Sequence, residues 1–359
     1  MQKYQNRILA GLVIALLIYV VILLVIDNQG QLTGEMAAAF AGYPWLWLMV
    51  IAGLHVMAGV FRFLEWQYFL GVIGARRLIS LADSAIIMTF GFTMVVSPGK
   101  AAELLKAVFL KIKTGVPVSR SAPVIVAERV VDGLAVIVIL TVILLTNGER
   151  LNLGDFLPTA QAIISFSAAV IVFGLVVIQI RPLAGFFLEV LARLPLVKRA
   201  HGWFCELYES SREIFSLRHV IPTVIMGVGV YLSSGFGLVA VLLSFGINVG
   251  VTEVLQALFI VGITAAIGAL SFVPNGAGVT EVTGAALLMS IMAPNHPEIT
   301  LGMAAAVALL DGFFHKWFRV VVGLITGVIF RKRLFTPGLG QEIENAGGYR
   351  KAAAYEMGD

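Results

Sequence analysis

Apolar runs of roughly twenty residues recur along this chain, the length an α-helix needs to cross the hydrocarbon of a bilayer. Full-length candidates fall at Ile8–Ile26, Trp45–Phe61, Ala122–Thr146, Ala160–Ile180, Ile221–Phe245 and Thr300–Phe330. With 59% hydrophobic and 13% charged residues among 359, the chain has more apolar surface than one soluble core can hide. Two further stretches, Leu81–Val96 and Val254–Val273, each run into a proline and are followed by a short, polar-marked helix. Ile8–Ile26 follows Lys3 and Arg7 as a signal peptide would. Its apolar run exceeds the usual hydrophobic region of about 7–15 residues, so it is read as a helix.

The basic residues set the topology, because Lys and Arg in short loops mark the cytoplasmic side. Of the 25, the amino terminus, 62–80, 98–121, 181–220 and the tail after Phe330 hold 2, 3, 5, 6 and 5. The segments 27–44, 147–159, 246–253 and 294–299 hold only Arg150. Both termini are therefore expected in the cytoplasm, with six crossings. The two proline-broken stretches must then enter and leave on one side, as re-entrant hairpins, the first opening to the cytoplasm and the second outward. The expected fold is an all-α integral membrane protein with six transmembrane helices and two re-entrant hairpins. The lone Cys205 rules out an internal disulfide, no Cys/His cluster has metal-ligand spacing, and the basic residues flank membrane segments instead of forming a nucleic-acid module. No cofactor, metal or nucleic acid is expected.

The order span, span, hairpin, span occurs in 8–146 and again, reversed in orientation, in 160–330. The residues repeat too. Ser97-Pro98-Gly99-Lys100-Ala101-Ala102-Glu103 is matched by Val273-Pro274-Asn275-Gly276-Ala277-Gly278-Val279-Thr280-Glu281, and Asp132-Gly133 by Asp311-Gly312. Glu103 and Asp132 are 29 residues apart, Glu281 and Asp311 30. An inverted repeat is expected, with halves 1–147 and 148–333, the second including the amphipathic linker 181–220, and a short tail 334–359, all in one membrane domain. In such transporters the substrate site lies near the midplane, where broken helices line a cavity.

Pro98 and Gly99, then Pro274, Asn275, Gly276 and Gly278, break apolar helices at that depth. Each helix that resumes offers unpaired N–H groups and a positive dipole end, a natural seat for phosphate. Lys100 and Lys106 reinforce the first, and Glu103 between them is placed to pair with either or with Arg129. Glu281 has no basic neighbour in sequence, so Lys316 or Arg319 is its expected partner. Charge at bilayer depth is costly, which singles out Glu128, Arg129 and Asp132, and also Arg319, about 18 Å along the helix from Arg331. Asp311, His315 and Arg319 share a stripe at four-residue spacing; His315 is read as a packed residue, not a proton carrier.

Pro98-Gly99-Lys100-Ala101-Ala102-Glu103-Leu104-Leu105-Lys106, Ala127-Glu128-Arg129-Val130-Val131-Asp132-Gly133 and Pro274-Asn275-Gly276-Ala277-Gly278-Val279-Thr280-Glu281 together resemble the flippase-like membrane domain of bacterial lysylphosphatidylglycerol synthases and its stand-alone relatives. The resemblance implies a protein of the bacterial inner membrane that moves a phospholipid or polyprenyl-phosphate-linked lipid between leaflets. Asn275 departs from the family's usual glycine, and the 29 residues after Phe330 are too few for the family's cytosolic aminoacyl-transfer domain. Two other readings stay open. One is a membrane-embedded glycosyl- or phosphotransferase using Glu103, Glu128 or Asp132 as base or Mg²⁺ ligand. The other is a non-transporting scaffold for a cell-envelope lipid enzyme, docked through 181–220, whose first reading is an amphipathic helix on the anionic leaflet. No catalytic residue is assigned.

Overall fold

The computed structural model describes residues 31–96, 103–151, 153–182, 201–271 and 273–334. Ile8–Ile26, the breaker residues Pro98, Gly99 and Lys100, residues 183–200 of the linker and the tail beyond 334 lie outside them. Every regular element among the described residues is helical. In chain order these are α1 (Gln31–Phe40), α2 (Trp47–Val72), α3 (Leu81–Gly91, prolonged by a 3-10 turn over Phe92–Val96), α4 (Leu105–Thr114), α5 (Val118–Asn147) and α6 (Leu157–Gln179). There follow α7 (His201–Ile214), α8 (Leu217–Ser244), α9 (Val251–Leu270), α10 (Val279–Leu287, prolonged by π-helical Leu288–Met292) and α11 (Leu301–Ile329, π-helical over Phe313–Phe318).

Six of them, α2, α5, α6, α8, α9 and α11, are long and apolar enough to cross a membrane. Five match candidates from the sequence. The sixth, α9, was expected as the first limb of a hairpin over Val254–Val273; it covers Val251–Leu270, 20 residues, as long as a crossing helix. It starts early because Glu253 turns back to accept the Gly250 N–H at 2.7 Å, satisfying an amide that the helix leaves open. One correction concerns α2, expected to end at Phe61. It continues to Val72, so Arg62 lies inside a helix, 5% exposed, and is no loop marker. Two of the three basic residues in 62–80 remain as evidence for the cytoplasmic side.

Both proline-broken stretches fold as antiparallel helical hairpins. In the second, Gly268 lies against Thr280 and Gly284 against Thr264, and Gln256 Nε2 donates to the Ile291 carbonyl at 3.4 Å. In the first, Gly91 lies under Lys106 and the rings of Phe90 and Phe109 meet edge-on at 5.7 Å. The bases of the hairpins sit at opposite ends of α5. Asp83 and Lys113, 3.7 Å apart, close the first near the start of α5, and Gln256 also donates to the carbonyl of Leu151, just beyond its end, at 3.4 Å. The tips meet: Phe92–Val96 packs against Pro274–Gly276.

Two apolar cores follow from this. One gathers α9, α10, the start of α11, the second half of α5 and the end of α8; the other gathers α3, α4, the end of α2 and the start of α5. Between them α2 and α8 cross antiparallel, with Gly229 against Phe61 and Gly237 against His55, positions where a Cβ would collide with the ring. At the periphery the Glu35 carboxylate of α1 accepts the Gly302 N–H at the start of α11, 3.0 Å. Glu206 of α7 accepts the Ser119 hydroxyl at the start of α5. The α6 helix buries only Ala160 and Ile164 and shows Phe166, Val170, Phe173 and Val176 outward, as a helix facing lipid does.

Candidate functional site

Beside the first hairpin, α2, α4 and α5 assemble an ion network. Arg62 donates to Glu65 at 2.8 Å and to Asp132. Arg129 lies 3.1 Å from Asp132, 3.7 Å from Glu103 and 3.8 Å from Glu128. Lys106 donates to Glu128 at 2.6 Å and rests 5.3 Å above the Trp66 ring. Thus Glu103 takes Arg129 as partner, as one expected alternative had it, whereas Lys106 turns away from Glu103 to Glu128. Its stem crosses the hairpin over Gly91, where a Cβ would come within 2.8 Å of Lys106 Cγ. Glu65, Glu103 and Glu128 are at most 1% exposed. Each keeps at least one buried oxygen without a hydrogen bond.

Beside the second hairpin, Lys316 of α11 donates to Glu281 at 2.5 Å, to the Gly276 carbonyl at 3.4 Å and to the Thr280 hydroxyl. The chain turns here through Asn275, Gly276 and Gly278, all at positive φ, a region that a side chain with a branched Cβ resists. Glu281 also accepts the Gly278 N–H at 2.8 Å. Its carboxylate therefore occupies the helix end at which a phosphate was expected, and any anion must displace it. Gly312 makes room for it: a Cβ there would lie 3.1 Å from Glu281 Cδ. In the matching motif Gly133 instead accommodates Ile171 of α6, so the two Asp-Gly pairs serve different packing.

The stripe Asp311, His315, Arg319 is broken by the π-helical turn, whose wider winding offsets four-residue spacing. Asp311 lines a cavity of about 50 Å³ and Arg319 one of about 10 Å³, with His315 in the wall of both. The Arg319 Nε donates to the His315 carbonyl at 2.7 Å, and its guanidinium lies 5.9 Å over the Phe92 ring. Among the described residues it has no carboxylate within ion-pair distance, unlike Arg62, Lys106, Arg129 and Lys316.

Sequence reasoning missed Arg62, Glu65 and His55. The first two stand at the end of an apolar run, where charge reads as an interfacial flank; the spacing of Arg62 and Glu65, three apart on one helix face, was the available signal. His55 carried none beyond its depth.

A family model, the lysylphosphatidylglycerol synthase TM region, matches residues 8–323. No curated protein and no solved structure matched the chain.

Proposed function

Since the chain belongs to the lysylphosphatidylglycerol synthase membrane-region family, with a membrane-lipid-related role, we propose that it translocates a lipid or a lipid-linked anionic headgroup between leaflets. The two halves are related as an inverted repeat, and the two hairpins re-enter from opposite faces. The observation that carries this reading is the meeting of the hairpin tips between two charged clusters. With hairpin bases at opposite ends of α5 and tips in contact, the two hairpins together span the distance between the faces. The return limb Val279–Met292 supports re-entry, because it is a short apolar helix below the length of a crossing. A headgroup moving between leaflets would meet one cluster from each side, and buried charge at that depth is repaid by such a role.

The protein then acts as a transporter and not an enzyme, in the bacterial cytoplasmic membrane with both termini inside. Its cargo is a phospholipid or polyprenyl-phosphate lipid, and a cell-envelope lipid-modifying enzyme is its natural partner. The test is reconstitution with labelled phospholipids or polyprenyl phosphates beside a scramblase control. Wild-type protein should transfer label between leaflets, and Glu103→Gln and Arg129→Ala should abolish transfer while inserting normally. Absence of transfer by the wild type, or full transfer by both variants, overturns the proposal.

A further inference from the structure

His315 stands where the two internal cavities adjoin. The larger, about 50 Å³, is lined by Asp311, Thr264, Thr280 and Lys316; the smaller, about 10 Å³, by His55, Arg62, Ser234 and Arg319. One water needs about 10–15 Å³ of such space, so the first has room for roughly three to five and the second for about one. Two buried polar atoms at these walls have no hydrogen-bond partner, Asp311 Oδ1 and His55 Nε2. His55 is 4% exposed, and its Nδ1 lies 2.9 Å from the Ile51 carbonyl. A carbonyl only accepts, so Nδ1 carries the hydrogen and Nε2 is left with its lone pair. The two imidazoles stand perpendicular, 6.2 Å between centroids, a gap that one water spans. Beyond His55, Arg62 of the smaller cavity is bonded to Asp132.

We infer that the chain carries protons between its two charged clusters along a relay of Asp311, His315, His55 and Asp132, joined by water in the two cavities. A proton taken up by the Asp311 carboxylate passes through water to a ring nitrogen of His315, which becomes imidazolium as Asp311 regains its charge. His315 releases a proton into the smaller cavity, where His55 accepts it at Nε2 and gives it up again, through water, to Asp132. From Asp132 it enters the neighbouring Glu128 and Glu103, each with an oxygen that accepts no hydrogen bond, and leaves them to water on the far side. Every group returns to its starting state and one proton has crossed. The charged groups facing the two histidines are Arg62 on α2 and Lys316 and Arg319 on α11, and Asp132 on α5 stands next to Arg62 and Arg319 of the smaller cavity. Conduction stands on this geometry alone; that it drives lipid movement rests on the lipid-translocation reading.

The full chain is reconstituted in vesicles of phosphatidylethanolamine and phosphatidylglycerol with a trapped pH dye, and a potassium diffusion potential is imposed. Wild-type vesicles should change internal pH faster than protein-free ones. Asp311→Asn and His315→Gln should each slow this on the order of a hundredfold, the lower end for a positioned proton-transfer group, and Asp311→Glu should restore it. A wild-type rate equal to that of protein-free vesicles, a wild-type rate in Asp311→Asn, or equal loss in Asp311→Asn and Asp311→Glu overturns the relay. Labelled-lipid transfer in the same vesicles separates the two proposals. Lipid transfer without proton flux refutes the relay alone, and proton flux without lipid transfer refutes the lipid reading alone.

Discussion

Replacing Lys316 by methionine keeps the side chain's length and removes its charge. The change strips Glu281 of its 2.5 Å ion pair and leaves it the Gly278 amide at 2.8 Å and the Thr280 hydroxyl at 3.2 Å. Glu281 is 6% exposed and Lys316 5%, so solvent compensates little. Breaking one side of such a buried pair costs about 3–5 kcal/mol, whereas replacing both partners by groups of similar shape is often close to neutral. Lys316→Met and Glu281→Gln should therefore each destabilise by about that much. The double substitution should lie within about 1–3 kcal/mol of wild type, giving a coupling of at least about 3 kcal/mol. Unfolding in mixed micelles against increasing denaturing detergent, for wild type, both single variants and the double, measures all four corners. Single effects that add within about 0.5 kcal/mol would refute the reasoning, because a pair that holds hairpin and helix together must be non-additive.

Two further outcomes follow from geometry outside that pair. Gly91→Leu places a side chain where the Lys106 stem crosses the hairpin, and overpacking of this kind costs about 1–3 kcal/mol; a thermal melt with an unchanged midpoint would count against the described path of Lys106. His296 sits 3.0 Å from Glu298 and 3.3 Å from Glu253, tying the exit of the second hairpin to its entry. Burial pulls its pKa down, but hydrogen bonds and charge from the two carboxylates outweigh it and raise the pKa above the ordinary value. The tie is thus fully present below the unfolded-state pKa of about 6.5 and lost as pH rises through the higher folded-state value. Melting midpoints should fall across that window in wild type and stay flatter in His296→Gln.

The sequence made some of this visible and not the rest, for reasons that can be named. Hairpin positions were legible because Pro98 and Pro274 interrupt apolar runs, and a backbone break needs no knowledge of partners. The Glu281–Lys316 pair was legible as one of two options, since a buried carboxylate must find a cation and few were on offer. Arg62 was misread because its partner Asp132 lies 70 positions away, and without it a charge after an apolar run looks like a helix end. That Glu281 folds back onto the amide a phosphate would take could not be read from spacing, because the carboxylate reaches it only through the positive-φ turn at Gly278. The stripe of Asp311, His315 and Arg319 assumed regular α winding, which the π-helical turn over Phe313–Phe318 abolishes.

The peripheral grips have a consequence for biogenesis. Glu35 waits for Gly302, 267 positions later, and Ser119 at the head of α5 waits for Glu206. The first half therefore leaves the translocon with these two docking points vacant and completes its packing only once α7 and the start of α11 have been synthesised. Stop codons or frameshifts that remove α11 should then yield chains that membrane proteases recognise as unfinished, even when α2 to α9 have been inserted.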